Sequence, residues 1–416
     1  SGTAEINLLT DFVLIEQGYL DGSIQARDQL TAFTNYSGKT DSYTIQDLEW
    51  YAREISAYEN TGDVLGVVHN ARSGGALDNV KITAYKNGNP IKTVYTDKNG
   101  EFSFTLPEGI YSFTFEKNGY VKETYYNMEI YNKTRDYFPI IQLVPEAMAT
   151  GTVSGKIVDA ISKEPLEEAQ LIIRKGYQGL DNDGSGDFQE ALVQQDGSYS
   201  LNLPGGNYTI EVHKEGYVPY RFFVTSIPGQ KVNNQNGFVL STREEKKLGL
   251  VLTWRNLSND FELDLDLHLN GILPGGEKLH LYWDHREFYL DDELIGNFET
   301  EDARTGLEPE VITIHDFTKG EFRISVFNYS YRLHNQSMAL GRSFAKLDLY
   351  QGNKLVDTFF VPVNRPGKLW HVLHIKDGEF VPLQSITDEY TFGQFGLLQI
   401  QRRVNVNPFL KEKQSE

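Results

Sequence analysis

Apolar and polar residues alternate along most of this chain, and the alternation breaks at turns built from glycine, proline and asparagine. Phe102, Phe104 and Leu106 alternate with Glu101, Ser103 and Thr105, which predicts a strand with one apolar face. Pro107-Glu108-Gly109 turns the chain, and Tyr111, Phe113 and Phe115 alternate back as the partner strand. Leu201, Leu203, Pro204-Gly205-Gly206, Tyr208, Ile210 and Val212 repeat that hairpin. Asn99-Gly100 and Asp196-Gly197 supply residues able to adopt positive φ, as tight turns demand.

The duplication extends beyond the hairpins. Gly66-Val67-Val68, Leu77-Asp78-Asn79-Val80 and Gly119-Tyr120 return as Gly155-Lys156-Ile157-Val158, Leu166-Glu167-Glu168-Ala169 and Gly216-Tyr217. A tandem of small sandwiches spaces and presents other elements, which argues against one large catalytic core. This pattern resembles the carboxypeptidase regulatory-like, transthyretin-like family of Greek-key sandwiches. The resemblance implies spacer, stalk or accessory modules and carries no catalytic residues.

A third unit opens with Leu248 to Trp254, and further strands are expected at 263–269, 311–314, 322–330, 345–350 and 369–375. Its phrases are Leu252-Thr253-Trp254, Asp264 through Leu269, Asp291-Asp292-Glu293, Pro309 through Ile314, Val326 through Ser330 and Trp370-His371-Val372. In that order they resemble an uncharacterised β-sandwich module of bacterial cell-surface proteins. The acidic loop departs from the tight Asp-x-Asp-Asp form of that module.

The expected fold is therefore mainly β: three tandem β-sandwich domains, two transthyretin-like and one larger, with a small N-terminal helical segment. The boundaries are 1–60 for a helical cap, 61–147 and 148–244 for the repeats, 245–388 for the larger sandwich, and 389–416 for a last strand and tail. In the cap, Ile45, Leu48, Tyr51 and Ile55 recur at roughly helical spacing. Asp21 to Asp28 and Tyr43 to Leu48 faintly resemble the loop-to-helix step of dockerin-type EF hands. The Asp-x-Asp-x-Asp-Gly ligand run is missing from both, so the segment is read as a cap on the first sandwich.

Composition narrows the function. A net charge of −19 repels phosphate backbones, so neither nucleic acid nor an anionic membrane is expected as partner. No apolar run is long enough for membrane insertion. Cysteine is absent, which excludes disulfides and thiolate metal sites. With repeated all-β modules this fits an exported bacterial protein, extracellular or at the cell surface.

Two acidic constellations are candidates for calcium. Gly66 to Gly155 spans 89 residues but Pro107 to Pro204 spans 97, so the second repeat gained eight residues around Asp181-Asn182-Asp183-Gly184-Ser185-Gly186-Asp187. Asp181, Asp183, Ser185 and Asp187 place oxygens at alternate positions, as a hard cation requires, although Leu192 stands where a closing Glu belongs. The alternative is a plain polar hairpin tip. The second constellation is the strand 263–269, whose leucines share one face and leave Glu262, Asp264, Asp266 and His268 on the other, about 7 Å apart. Asp264 and Asp266 need a cation or an arginine between them, with Arg255, Arg286 and Arg304 as available partners. Asp291, Asp292, Asp302, Glu308 and Glu310 are further oxygen donors that could converge there.

Seven of nine histidines fall in the third unit. His371 and His374, three apart on a strand, are expected on opposite faces, and His280 and His285 also sit at odd spacing, so zinc is not expected. No Gly-x-Ser-x-Gly, P-loop, His-Glu-x-x-His or Rossmann fingerprint occurs. The expectation is a non-enzymatic multidomain surface protein for adhesion or ligand binding, with an unknown protein or glycan partner and calcium-stiffened loops. The alternative is a carbohydrate-binding or accessory region of a larger surface enzyme, with Trp254, Trp283 or Trp370 as sugar platforms. A weaker third option is a hydrolase using Asp264, Asp266 or Glu310.

Overall fold

The computed structural model describes residues 61–388 apart from 133, 180–186, 256–261 and 377. The expected helical cap over 1–60 and the strand and tail over 389–416 lie outside the described residues. So do Asp181, Asp183 and Ser185 of the first candidate calcium loop; Asp187 is described and exposed.

The first sandwich consists of β1 (Thr61–Asn70), β2 (Lys81–Lys86), β3 (Asn89–Tyr95), β4 (Glu101–Pro107), β5 (Gly109–Glu116), β6 (Glu123–Ile130), β7 (Arg135–Tyr137) and β8 (Ile141–Leu143). The second contains β9 (Thr150–Asp159), β10 (Gln170–Lys175), β11 (Tyr177–Gln178), β12 (Phe188–Leu192), β13 (Ser198–Pro204), β14 (Gly206–His213), β15 (Tyr220–Ser226), β16 (Lys231–Val232) and β17 (Gly237–Val239). The repeat is visible strand for strand. One sheet has the order β4-β1-β7 with β8 also on β1, and its copy is β13-β9-β16 with β17 on β9. The facing sheets run β6-β5-β2-β3 and β15-β14-β10-β12.

Local chemistry accounts for the repeated phrases. Phe102, Phe104, Leu106, Tyr111, Phe113 and Phe115 all face the first core. Past the Leu-Pro turn, Gly109 and Gly206 take φ of +146° and +145°, and a tyrosine two residues on locks each corner. Tyr111 donates its hydroxyl to the Pro107 carbonyl at 2.9 Å, and Tyr208 to Pro204 at 3.0 Å. Gly100 and Gly197 occupy left-handed turns at φ +76° and +77°, where a side chain would strike the carbonyls of Val68 and Ile157.

The third sandwich comprises β18 (Leu248–Thr253), β19 (Leu265–Ile272), β20 (Lys278–Leu281), β21 (Glu287–Leu290), β22 (Glu293–Phe298), β23 (Glu310–Ile314), β24 (Glu321–Asn328), β25 (Lys346–Gln351), β26 (Lys354–Phe360), β27 (Leu369–Lys376) and β28 (Glu379–Thr387). Six strands form one sheet, β21-β22-β23-β18-β25-β26, and five the other, β20-β19-β24-β27-β28. Leu248, Leu250 and Leu252 enter the core between them, with Leu265, Leu267 and Leu269 opposite.

The three sandwiches are not separate beads. The eight-residue gain in the second repeat falls between β10 and β12, and β11, within that interval, leaves its own sandwich to pair in parallel with β6, extending the first sandwich's sheet. Tyr177 on β11 is buried in the first core. Across the same seam the buried Glu123 carboxylate accepts the Asn207 N–H at 3.0 Å, and Asn207 Nδ2 donates to the Gln142 carbonyl at 2.6 Å. Val251, Val311 and Tyr350, on the outer side of the six-stranded sheet, are buried in the second sandwich's core. That explains why Leu248 to Leu252 is apolar on both faces: both faces are covered.

Candidate cation site

Strand β19 has the expected parity but an unexpected environment. Leu263, Leu265, Leu267 and Leu269 are buried inward, and Asp264, Asp266 and His268 point the other way. That second face is not open to water. Asp266 is only 3% exposed. The segment after β24 covers Asp264: Tyr329 N–H donates to the Asp264 carbonyl at 3.1 Å, and Asp264 N–H to Ser330 Oγ at 3.0 Å. The β22–β23 connection closes the other side. It is pinned where Glu299 N–H reaches the Val311 carbonyl at 2.7 Å and Val311 N–H reaches Thr300 Oγ1 at 3.1 Å.

This connection delivers Asp302. One carboxylate oxygen each from Asp264, Asp266 and Asp302 lie within 4.8 Å of one another. Glu310, at the start of β23, is fully buried beside them. Its Oε2 accepts Leu267 N–H at 2.6 Å, whereas Oε1 has no hydrogen-bond partner, and neither has the buried Oδ1 of Asp264. Arg304 donates to Asp302 Oδ2 at 2.9 Å and is the one ion pair made by the cluster among the described residues.

So much negative charge out of water raises the carboxyl pKa values. Burial, then Asp264 and Asp302, push Asp266 up to about 8, against the opposing pull of Arg304 and Arg332. Burial and Asp302 raise Asp264 to about 6. Burial and Asp266 hold Glu310 well above the usual carboxylate range. Such a set must either carry protons or be neutralised by a cation. All-oxygen donors at this spacing suit a hard divalent ion such as calcium, with backbone carbonyls or water completing six to eight ligands.

The other acids named from sequence go elsewhere. Asp291 and Asp292 form the β21–β22 turn at φ +48° and +64°. Glu308 faces Lys163 at 4.0 Å, and Glu262 is exposed. Of the expected arginine partners only Arg304 reaches the cluster; Arg286 pairs with Glu301 at 3.0 Å, and Arg255 contacts Gln235 at 3.2 Å.

The histidine parity expected from sequence is corrected by the structure. A bulge at Val372 shifts the β24–β27 register, so His371 pairs with Ser325 and His374 with Arg323, two residues that share a face. His371 and His374 therefore lie on the same side. Each has its own partner, Thr387 Oγ1 at 3.1 Å and Glu321 Oε1 at 2.7 Å. A second grouping was not legible at all: His268 and His280 meet across β19 and β20 at 3.0 Å and stack with Tyr282. Burial depresses both, to about 3 for His268 and about 4 for His280.

Two of the three sugar-platform candidates are also corrected. Trp254 and Trp370 are 3% and 0% exposed core residues whose indole N–H groups donate to the Leu263 carbonyl and to Gln384 Oε1. Trp283 is 37% exposed.

The family model of the carboxypeptidase regulatory-like domain matches residues 63–137 and 152–240. No curated protein matches the chain. Among solved structures, the Bacillus anthracis TIE protein is 12% identical over 74% of this chain and 49% of that one, with a TM-score of 0.19. A streptococcal ancillary pilin is 19% identical over 44% of this chain and 63% of its own, TM-score 0.18. The shaft pilin spaA of Lactobacillus rhamnosus GG is 14% identical over 44% and 98%, TM-score 0.17. The chain thus spans about half the length of the first of these and under two thirds of the second. Residues 63–137 and 152–240 thus each match the carboxypeptidase regulatory-like domain, in tandem, ahead of a larger sandwich that carries the acidic cluster.

Proposed function

We propose that this chain is a non-enzymatic display and binding segment of a bacterial extracellular or cell-surface protein, whose third sandwich is stiffened by calcium. Two family domains, locked through β11, set the position of the larger module. The observation that supports the calcium reading is the meeting of Asp264, Asp266 and Asp302, with the buried Glu310 carboxyl beside them. Two segments remote in sequence contribute, Asp264 and Asp266 from one and Asp302 from the other, so the ion ties the β22–β23 connection to β19. The same acids serve glycoside hydrolysis poorly, because a hydrolase needs two separated carboxyls flanking a sugar cleft.

The test is calorimetric titration of calcium into EDTA-stripped protein, comparing wild type with Asp302→Asn. Saturable binding of one ion, weakened in the variant, is the expected result. No heat of binding in wild type at millimolar calcium would overturn the cation reading.

A further inference from the structure

A cavity of about 240 Å³ lies where the three sandwiches meet, room for roughly eight waters. Its aromatic wall is contributed by separate modules. Tyr125 of β6 and Tyr177 of β11 stack with centroids 5.9 Å apart, and Phe223 of β15 stands edge-on to both at 6.2 and 5.0 Å. From the third sandwich Phe360 stacks on Phe223 at 6.2 Å.

Three carboxyl groups line the same space, Glu129 of β6, Asp136 of β7 and Asp357 of β26, and Glu129 Oε2 already accepts the Tyr131 hydroxyl at 2.6 Å. Asp136 Oδ2 accepts from Thr134 Oγ1, and Asp357 Oδ1 accepts from Thr358 N–H, each at 2.7 Å. The second oxygen of each has no protein partner among the described residues, and neither aspartate makes an ion pair there. The arginines of the cavity are already engaged. Arg221 pairs with Glu211 at 3.0 Å and donates to the Gly179 carbonyl at 2.6 Å. Arg255 donates to Gln235 and lies 5.0 Å from the Phe344 ring centre. The neighbouring charges that act on the two aspartates are also acidic: Asp63 on Asp136, and Glu129 and Asp348 on Asp357. Burial, with this company, raises Asp136 to about 7 and Asp357 to about 6.

Ring faces attract a positive charge and shelter adjoining C–H surface, while a free carboxylate oxygen takes an N–H donor. We propose that this junction cavity binds a small organic ammonium ion with an apolar body, independently of the calcium site. The ligand touches all three sandwiches at once, so its binding stabilises their junction.

The probe is 2-phenylethylammonium, titrated calorimetrically at pH 8 into the full chain in EDTA, with 2-phenylethanol and phenylacetate as neutral and anionic counterparts. Working in EDTA keeps the result separate from the fate of the calcium reading. Saturable one-to-one binding of the ammonium ion is expected, with the two counterparts at least about tenfold weaker. Asp136→Asn combined with Asp357→Asn is expected to weaken the ammonium ion by about tenfold, and either single change by about threefold, which keeps the test usable if the double variant does not fold. A matching rise in melting temperature is expected in wild type and lost in the variants. Equal binding of 2-phenylethanol, unchanged affinity in the variants, or no saturable binding at about 10 mM probe would each overturn the proposal.

Discussion

Replacing Asp266 by Asn is expected to stabilise the calcium-free protein while abolishing its response to calcium. Asp266 is buried and titrates at about 8, against 3.8 for a free aspartate. Since the folded value is the higher, ionisation at neutral pH works against folding. From 3.8 to pH 7 is roughly three pH units, each worth about 1.4 kcal/mol, which sets an upper bound of about 4 kcal/mol. Proton sharing with Asp264 and Asp302 lowers this, and a gain of about 2 kcal/mol in EDTA is the expected size. Calcium at 100 times its Kd adds about 2.7 kcal/mol to wild type through selective binding to the folded state. The variant, lacking a central ligand, gains nothing. Guanidinium unfolding followed by tryptophan fluorescence reads this directly, because Trp254, Trp283 and Trp370 of the chain's four tryptophans lie in the third sandwich. A variant less stable than wild type in EDTA, or one with an undiminished calcium response, would refute the reasoning.

Three further outcomes are expected. Gly100→Ala and Gly197→Ala should each cost about 2 to 3 kcal/mol, because an alanine is strained at positive φ and its Cβ would lie 2.6 Å from the Val68 carbonyl or 2.9 Å from that of Ile157. Gly119→Ala, at φ +78° with nothing within 4 Å, should cost about half as much in denaturant melts; equal losses would show that steric contact is unimportant. Tyr177→Ala removes a ring from the first core and should cost about 3 kcal/mol, separating the melting of the first two sandwiches in calorimetry; an unchanged thermogram would count against the β11 lock. In EDTA, stability should rise as pH falls from 8.5 to 6.5, because Glu123, Asp136 and Asp266, with folded values of about 8, 7 and 8, take up protons that the unfolded chain does not. Below 6.5 the rise should level off: His268, His280 and His371 are held at about 3, 4 and 4, so only the unfolded chain gains their protons. A stability that falls between pH 8.5 and 6.5 would contradict this.

The repeated sandwiches were legible because their determinants are local. Alternation fixes which faces are buried, and the glycines at 100 and 197 fix the turns, without reference to distant residues. The acidic pair on β19 was legible for the same reason. Which further acids would join it was not, since Asp302, Asp291 and Glu308 look alike in sequence. Only the hydrogen bonds that fold the β22–β23 connection back onto β23 bring Asp302 in, while positive-φ turn geometry takes Asp291 and Asp292 away. His371 and His374 were misplaced because one bulged residue reverses the parity of a strand, and Val372 carries no sequence mark of a bulge. The seams between sandwiches escaped for a related reason. A two-residue strand such as β11 has no periodicity to detect, and a strand apolar on both faces does not say what covers its second face.

A calcium ion held by Asp264, Asp266 and Asp302 is the central expectation for the third sandwich. Crystals grown with calcium and measured at a wavelength where calcium scatters anomalously would decide it. A single anomalous peak bounded by Asp264, Asp266 and Asp302, with the free oxygen of Glu310 turned toward it or toward one of its waters, is the predicted result. A cluster closed by hydrogen bonds between protonated carboxyls, with no peak, would contradict it.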